Sequence, residues 1–139
     1  MWSHEYSAET SATPRAVWSV LRDLDGWTRW DTSMETVSLQ GPFEVGSKVS
    51  MTPKGQDPIV SVITGVRENE YYADETEFGG VTLGFSHTLT PLPDGGTLVV
   101  HRLEITGPEA DALGPEVGPA ITEDFPEAMA GLLAHAVAP

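Results

Sequence analysis

Between Met34 and Thr106 the sequence repeats one pattern six times: a run of alternating or β-branched residues, then a short turn cluster. The runs are Met34–Leu39, Gly46–Pro53, Pro58–Arg67, Tyr71–Phe78, Val81–Leu92 and Thr97–Thr106. Gly41-Pro42, Lys54-Gly55-Gln56-Asp57, Glu68-Asn69-Glu70, Gly79-Gly80 and Pro93-Asp94-Gly95-Gly96 separate them, and Gly107-Pro108 ends the last. Connections this short leave no room for a crossover between parallel strands, so the six strands are antiparallel neighbours in a meander. The strongest turn is Pro93–Gly96. Proline presets the first turn position, aspartate bonds the backbone locally, and a glycine takes the left-handed conformation.

The flanks supply what such a sheet packs against. Trp2, His4, Tyr6 and Ala8 alternate with Ser3, Glu5 and Ser7, which makes a half-buried first strand. Thr13 suits a helix N-cap and Pro14 the first helical position, after which Val17, Trp18, Leu21 and Leu24 recur at helical spacing. Asp25-Gly26 stops that helix, and one short second turn presents Trp27 and Trp30 together. At the other end Ile121, Phe125, Met129, Leu132, Leu133 and Ala136 form one apolar stripe, so a helix is expected from about residue 120 to 136. Burying the large members of that stripe contributes roughly 1.5–3 kcal/mol each. Pro126 lies inside the pattern and predicts a kink or a break near Phe125, while Gly114-Pro115 and Gly118-Pro119 leave the helix start open.

The expected fold is therefore α+β: a curved seven-stranded antiparallel sheet wrapped around a long C-terminal helix, with two short helices between strands 1 and 2. A length of 139 residues fits one domain over 1–139. The chain has no cysteine, which removes disulfides and thiol chemistry and favours a cytoplasmic location. MWSHEYSAET lacks a basic region followed by an apolar run, so no signal peptide is expected. No apolar stretch approaches the roughly 20 residues of a membrane span. A formal net charge of −14 opposes binding to nucleic acid or to anionic membranes and reads as a solvated acidic surface.

His87 and His101 are the candidate chemical groups. Period-two alternation places His87 with Phe85 and Leu89, and His101 with Val99, Leu103 and Ile105, on the face towards the helix. An imidazole there can bond a carbonyl or hydroxyl or move a proton near neutral pH; the alternative is a core histidine satisfied by a polar neighbour. The same alternation sends Arg102 and Glu104 outward as a surface ion pair. Ser86 and His87, adjacent on one strand, face opposite ways and make no triad. The four histidines His4, His87, His101 and His135 have no metal-ligand spacing, so no metal and no cofactor is expected. Tyr71 and Tyr72 point oppositely, and one of them offers a hydroxyl to the interior. The facing of Pro58–Arg67 is ambiguous, with Gly65 marking a possible bulge.

Several spread-out pieces of the chain carry a resemblance. Ala12-Thr13-Pro14 leads to Val17-Trp18; the Trp27/Trp30-Asp31 pair has Gly46 after it; Leu89-Thr90-Pro91, Gly95-Gly96-Thr97, His101-Arg102 and Gly107-Pro108 precede the last helix. In these the chain resembles the START-like (SRPBCC) superfamily of helix-grip fold, in particular its polyketide cyclase/dehydrase-like branch. The resemblance implies a long helix across a strongly bent sheet, with an apolar cavity between them for a lipid, sterol, polyketide or similar ligand. His87 departs from it, since relatives often carry a large aromatic residue there.

If the chain follows that pattern, the wall of the cavity is expected from Trp30, Met51, Tyr71, Phe85, His87, His101, Phe125 and Met129. Three functions are compatible with it: a binding or carrier module for a small hydrophobic molecule, a cofactor-independent cyclase/dehydratase using His87 or His101, and a co-chaperone-like interaction domain. An apolar cavity with an isolated histidine favours the first. Two or more convergent, hydrogen-bonded titratable groups favour the second. A collapsed cavity beside an exposed apolar patch favours the third. The sequence reading settles on the first.

Overall fold

Turn chemistry shapes the sheet. In the computed structural model, which describes residues 1–137, Pro93–Gly96 closes the hairpin between Val81–Pro91 (β6) and Thr97–Thr106 (β7). The Gly96 amide donates to Asp94 Oδ1 at 2.9 Å and Gly95 takes φ +90°. Gly96 is also held by space, because a Cβ there would stand 2.3 Å from the Thr10 carbonyl oxygen. The remaining strands are Trp2–Thr10 (β1), Met34–Gln40 (β2), Lys48–Pro53 (β3), Ile59–Arg67 (β4) and Tyr71–Phe78 (β5). All pair antiparallel in the order β1-β7-β6-β5-β4-β3-β2, so the meander of six is extended by β1 along β7.

The expected bulge lies on β4. Register shifts between Ile63 and Gly65, so Ile59, Ser61 and Ile63 face the interior before it and Val66 does so after it. Glycine is required there because the ring of Tyr71 covers it; a Cβ would lie 2.5 Å from that ring.

Pro14–Leu21 (α1) is capped by Thr13, whose Oγ1 accepts from the Ala16 amide at 3.1 Å, with Pro14 at the first helical position. A 3-10 helix, Leu24–Arg29, follows and brings the Trp27 and Trp30 rings to 5.5 Å. The C-terminal cover is two helices, Ala110–Thr122 (α2) and Phe125–Val137 (α3), broken at Glu123-Asp124. The break falls where Pro126 predicts it, since Pro126 takes the first turn of α3, where no donated hydrogen bond is lost.

The first of these helices starts earlier than the apolar stripe indicates. It contains Pro115 and Pro119, and Gly114 and Gly118, one turn apart, give it a flat face on which the indole of Trp2 lies. This packing joins α2 to β1 and β7, while α3 packs on α1 and β1. Among the described residues, no helix is long and apolar enough to cross a membrane.

The core divides into two apolar clusters. One gathers Val17, Trp18, Leu21, Trp27, Trp30, Met51, Ile63, Tyr72, Leu89, Met129 and Leu132 under α1 and α3. The other gathers Val81, Leu83, Leu103, Ile105 and Ala110 under α2, with Trp2, Phe85 and Phe125 against it.

Candidate functional site

Strand register sets a transverse row of rings across the concave face. Tyr72 on β5 is opposite His87 on β6, His87 is opposite His101 on β7, and His101 is opposite Tyr6 on β1. The His87 and His101 ring centres are 4.4 Å apart, edge-on at 81°. His87 also meets Trp27 at 5.7 Å and Tyr72 at 5.9 Å, both in the first cluster, while His101 meets Phe125, packed against the second, at 6.2 Å. The two imidazoles therefore span the seam between the apolar clusters. As expected from alternation, Arg102 and Glu104 lie on the other face: the Arg102 guanidinium is 3.1 Å from Glu104 and 3.2 Å from Glu5.

A second polar group joins this row from β5. Tyr72, Asp74 and Thr76 share the inward face and are all buried. The Tyr72 hydroxyl donates to Asp74 Oδ2 at 2.9 Å, and Thr76 pairs with the hydroxyl of Ser61 on β4. Four enclosed polar atoms have no hydrogen-bond partner among the described residues: Trp30 Nε1, Asp74 Oδ1, His87 Nδ1 and His101 Nε2. Trp27, by contrast, is satisfied, its Nε1 donating to the Leu21 carbonyl at 2.7 Å.

Burial sets the charge state of these groups. It holds His101 down at about 4, and it holds His87 well below the usual imidazole range with help from the neighbouring His101. Both are neutral at physiological pH, so each offers one donor and one acceptor nitrogen. Burial pushes the Asp74 carboxyl up to about 7; the Tyr72 hydroxyl opposes this, and the charge of Glu75 adds to it. Tyr72 itself is raised, first by burial and then by Asp74, and stays a phenol. The site thus combines two neutral imidazoles with a carboxyl that takes up or releases its proton near neutrality.

Of the residues expected to line the interior, His87, His101 and Phe125 are brought together, with Trp30 linked to them through Trp27. Phe85 lies on the same face of β6, opposite Asp74 and Leu103. Met51 and Met129 are buried in the Trp27–Tyr72 cluster. Tyr71 is a correction. It lies on the outer face, over Gly65 and with the Arg67 guanidinium 5.4 Å from its ring centre, and Tyr72 takes the inward place.

Asp74 was missed because YYADETEF puts acidic residues on both faces of β5, and acidic residues ordinarily signal solvent. The usable signal was alternation: placing Tyr72 inward carries Asp74 and Thr76 with it. Phe43, in the β2–β3 loop, was also missed; it stacks on Tyr72 at 5.8 Å and 14°.

Open cavities among the described residues include the following two. A groove of about 310 Å³ is lined by Ser19, Arg22, Asp23, Leu24, Asp25, Leu39 and Phe43. A smaller one of about 140 Å³ is lined by Asp31, Thr32, Ser33, Asp124, Glu127 and Ala128. None of the eight expected wall residues lines either. Among the described residues, no group of three or more His, Asp or Glu side chains is placed to hold a metal ion.

A family profile described as polyketide cyclase / dehydrase and lipid transport matches residues 1–138. The chain belongs to that family. Solved structures similar to this polyketide cyclase/dehydrase family member share its fold at low identity. A START superfamily protein from Mycobacterium smegmatis superposes with a TM-score of 0.75 at 14% identity, over 96% of each chain. The Zhui aromatase/cyclase from Streptomyces sp. R1128 gives 0.74 at 16% identity, over 96% of this chain and 92% of its own. A truncated norcoclaurine synthase from Thalictrum flavum gives 0.76 at 14%, over 99% and 94%. A comparison with curated proteins found no match. The curved antiparallel sheet with C-terminal helices is thus the START-like helix-grip architecture.

Proposed function

We propose that this chain binds a small, largely apolar molecule between the concave face of the sheet and the C-terminal helices, with a polar end of the ligand at His87 and His101. The observation that carries this reading is the pair of enclosed imidazole nitrogens without a partner among the described residues, set between two apolar clusters. An unpaired buried polar atom costs about 1–3 kcal/mol, and a ligand oxygen or N–H supplies the missing partner. The family description, which includes both cyclases and lipid transport, supports the same class of ligand. The net charge of −14 directs the reading away from nucleic acid.

A second reading has its own support. Asp74, whose carboxyl is raised to about 7 and accepts from Tyr72, is the group suited to acid–base work in a cofactor-independent cyclase or dehydratase, with the neutral histidines as hydrogen-bonding neighbours.

The test is titration with the neutral dye Nile red, read by emission and by energy transfer from Trp27 and Trp30. One saturable site is expected in wild type. It is lost in Met129→Trp, which adds bulk on the helix side of the core, while circular dichroism shows the fold retained. Should Met129→Trp not fold, Leu132→Phe, a smaller change on the same helix, is expected to weaken the dye. Absence of saturable binding to wild type overturns the binding reading.

A further inference from the structure

We infer that Asp74, oriented by Tyr72, is the anchor for the protonated nitrogen of a lipophilic amine. The inference rests on the interior binding reading above and names the ligand class for it.

A carboxyl in this place needs a counterpart. Asp74 is 2% exposed, one oxygen receives the Tyr72 hydroxyl, and Oδ1 is enclosed without a partner among the described residues. The protein provides no cation for it. Of the seven Lys and Arg side chains, six are exposed to solvent, and the seventh, Arg102, is engaged by Glu5 and Glu104 on the opposite face. A buried carboxylate lacking both a cation and full hydrogen bonding is disfavoured, and an apolar residue of similar size is often the more stable choice. A ligand ammonium supplies both the charge and the N–H donor for Oδ1.

The surroundings suit a cation with an apolar body. Beside the carboxyl, the Tyr72 ring contacts Trp27 at 5.7 Å and Phe43 at 5.8 Å, so the surroundings of the Tyr72–Asp74 pair are aromatic. His87 and His101 stay neutral at physiological pH and do not repel it. The overall charge of −14 raises the local concentration of cations at the surface. The 310 Å³ groove, bounded by Phe43, carries Arg22 as well as Asp23 and Asp25 on its wall, so selectivity for a cation rests on Asp74 and not on the groove.

The experiment compares two probes with the same apolar body, 2-(1-naphthyl)ethylamine and 2-(1-naphthyl)ethanol, by calorimetry at high salt, where attraction to the outer charges is screened. Wild type is expected to bind the amine at least about tenfold more tightly than the alcohol. Asp74→Asn, which still accepts from Tyr72, is expected to bind both like the alcohol. Independently of any variant, the Asp74 carboxyl carbon observed by NMR at pH 7 should move to its ionised position on adding the amine and not on adding the alcohol. Equal affinity for the two probes, or a preference that survives in Asp74→Asn, overturns the amine assignment and leaves the binding reading standing if Nile red still binds. Failure of both probes and of Nile red overturns the two together.

Discussion

His87 stands edge-on to His101, ring centres 4.4 Å apart, and the pair links Trp27 and Tyr72 of one apolar cluster to Phe125 beside the other. Neither ring can gain a proton without placing a charge in that seam. Their neutrality is thus tied to the integrity of the core, and the fold becomes sensitive to acid.

His101 titrates near 4 in the folded chain and near 6.5 when unfolded, so between those values the unfolded state holds more protons. Stability is therefore full above pH 6.5 and is lost as the pH falls towards 4, with His87 acting in the same direction. The loss from His101 is on the order of a few kcal/mol. His101→Phe removes it. Urea midpoints at pH 7.5 and 4.5 should fall less in this variant than in wild type; an equal fall would show that the acid response lies elsewhere.

Asp74 works in the opposite sense. Its folded pKa of about 7 exceeds the ordinary 3.8, so the native state holds the extra proton between those values and gains stability as the pH drops from 7 towards 4. Above 7 the ionised, half-partnered carboxylate weakens the fold. Asp74→Asn lacks this group and keeps an acceptor for Tyr72. It is expected to exceed wild type in thermal stability at pH 8, by on the order of 1–3 kcal/mol, with the advantage shrinking by pH 5. The charge of Glu75 contributes to the shift, so Glu75→Gln should narrow the difference.

How much of this was legible follows from the kind of signal each element leaves. Thr13-Pro14 and Pro93–Gly96 act through local chemistry, and the α1 cap and the β6–β7 hairpin lie where the residues place them. His101 and Arg102 obey strict alternation on β7, where no bulge intervenes, and their facing was readable. Tyr71 was misplaced because nothing local distinguishes it from Tyr72; the choice is made by Gly65 on the neighbouring strand, whose missing side chain leaves room for the Tyr71 ring outside. Asp74 was hidden because its burial depends on that choice. The early start of α2 was hidden because Pro115 and Pro119 argue against a helix, while the packing of Gly114 and Gly118 on Trp2 involves a residue over a hundred positions away in sequence.

That last contact is open to test. A Cβ on Gly118 would lie 2.5 Å from the Trp2 ring, closer than packing allows. Gly118→Ala should therefore destabilise the fold by about 1–3 kcal/mol, even though alanine favours the helix. In a Trp2→Leu background the same change should become neutral or stabilising, a coupling that a double-mutant cycle measures directly. Additive effects would mean that the glycine serves the helix alone.

If a ligand reaches the row of rings through the 310 Å³ groove, Phe43 is the side chain expected to gate it. It lies in the β2–β3 loop between Gly41 at φ +104° and Gly46 at φ +99°, two positions where the backbone turns with little steric resistance. One side of its ring stacks on Tyr72, Trp18 approaches it edge-on at 5.9 Å, and the Arg22 guanidinium lies 5.2 Å from its centre. The 310 Å³ groove reaches Phe43 from outside, and the same ring stacks on Tyr72. Replacing Phe43 by alanine shortens the barrier while leaving Asp74, His87 and His101 in place. Stopped-flow mixing with Nile red should show association several-fold faster in Phe43→Ala, with dissociation accelerated alongside it. Arg22→Met, which keeps the aliphatic stem but removes the charge over the ring, should give a smaller change in the same direction. If Phe43→Ala lowers stability and leaves the association rate unchanged, Phe43 is a fixed wall and the ligand enters elsewhere, with the break between α2 and α3 beside Phe125 the next place to probe.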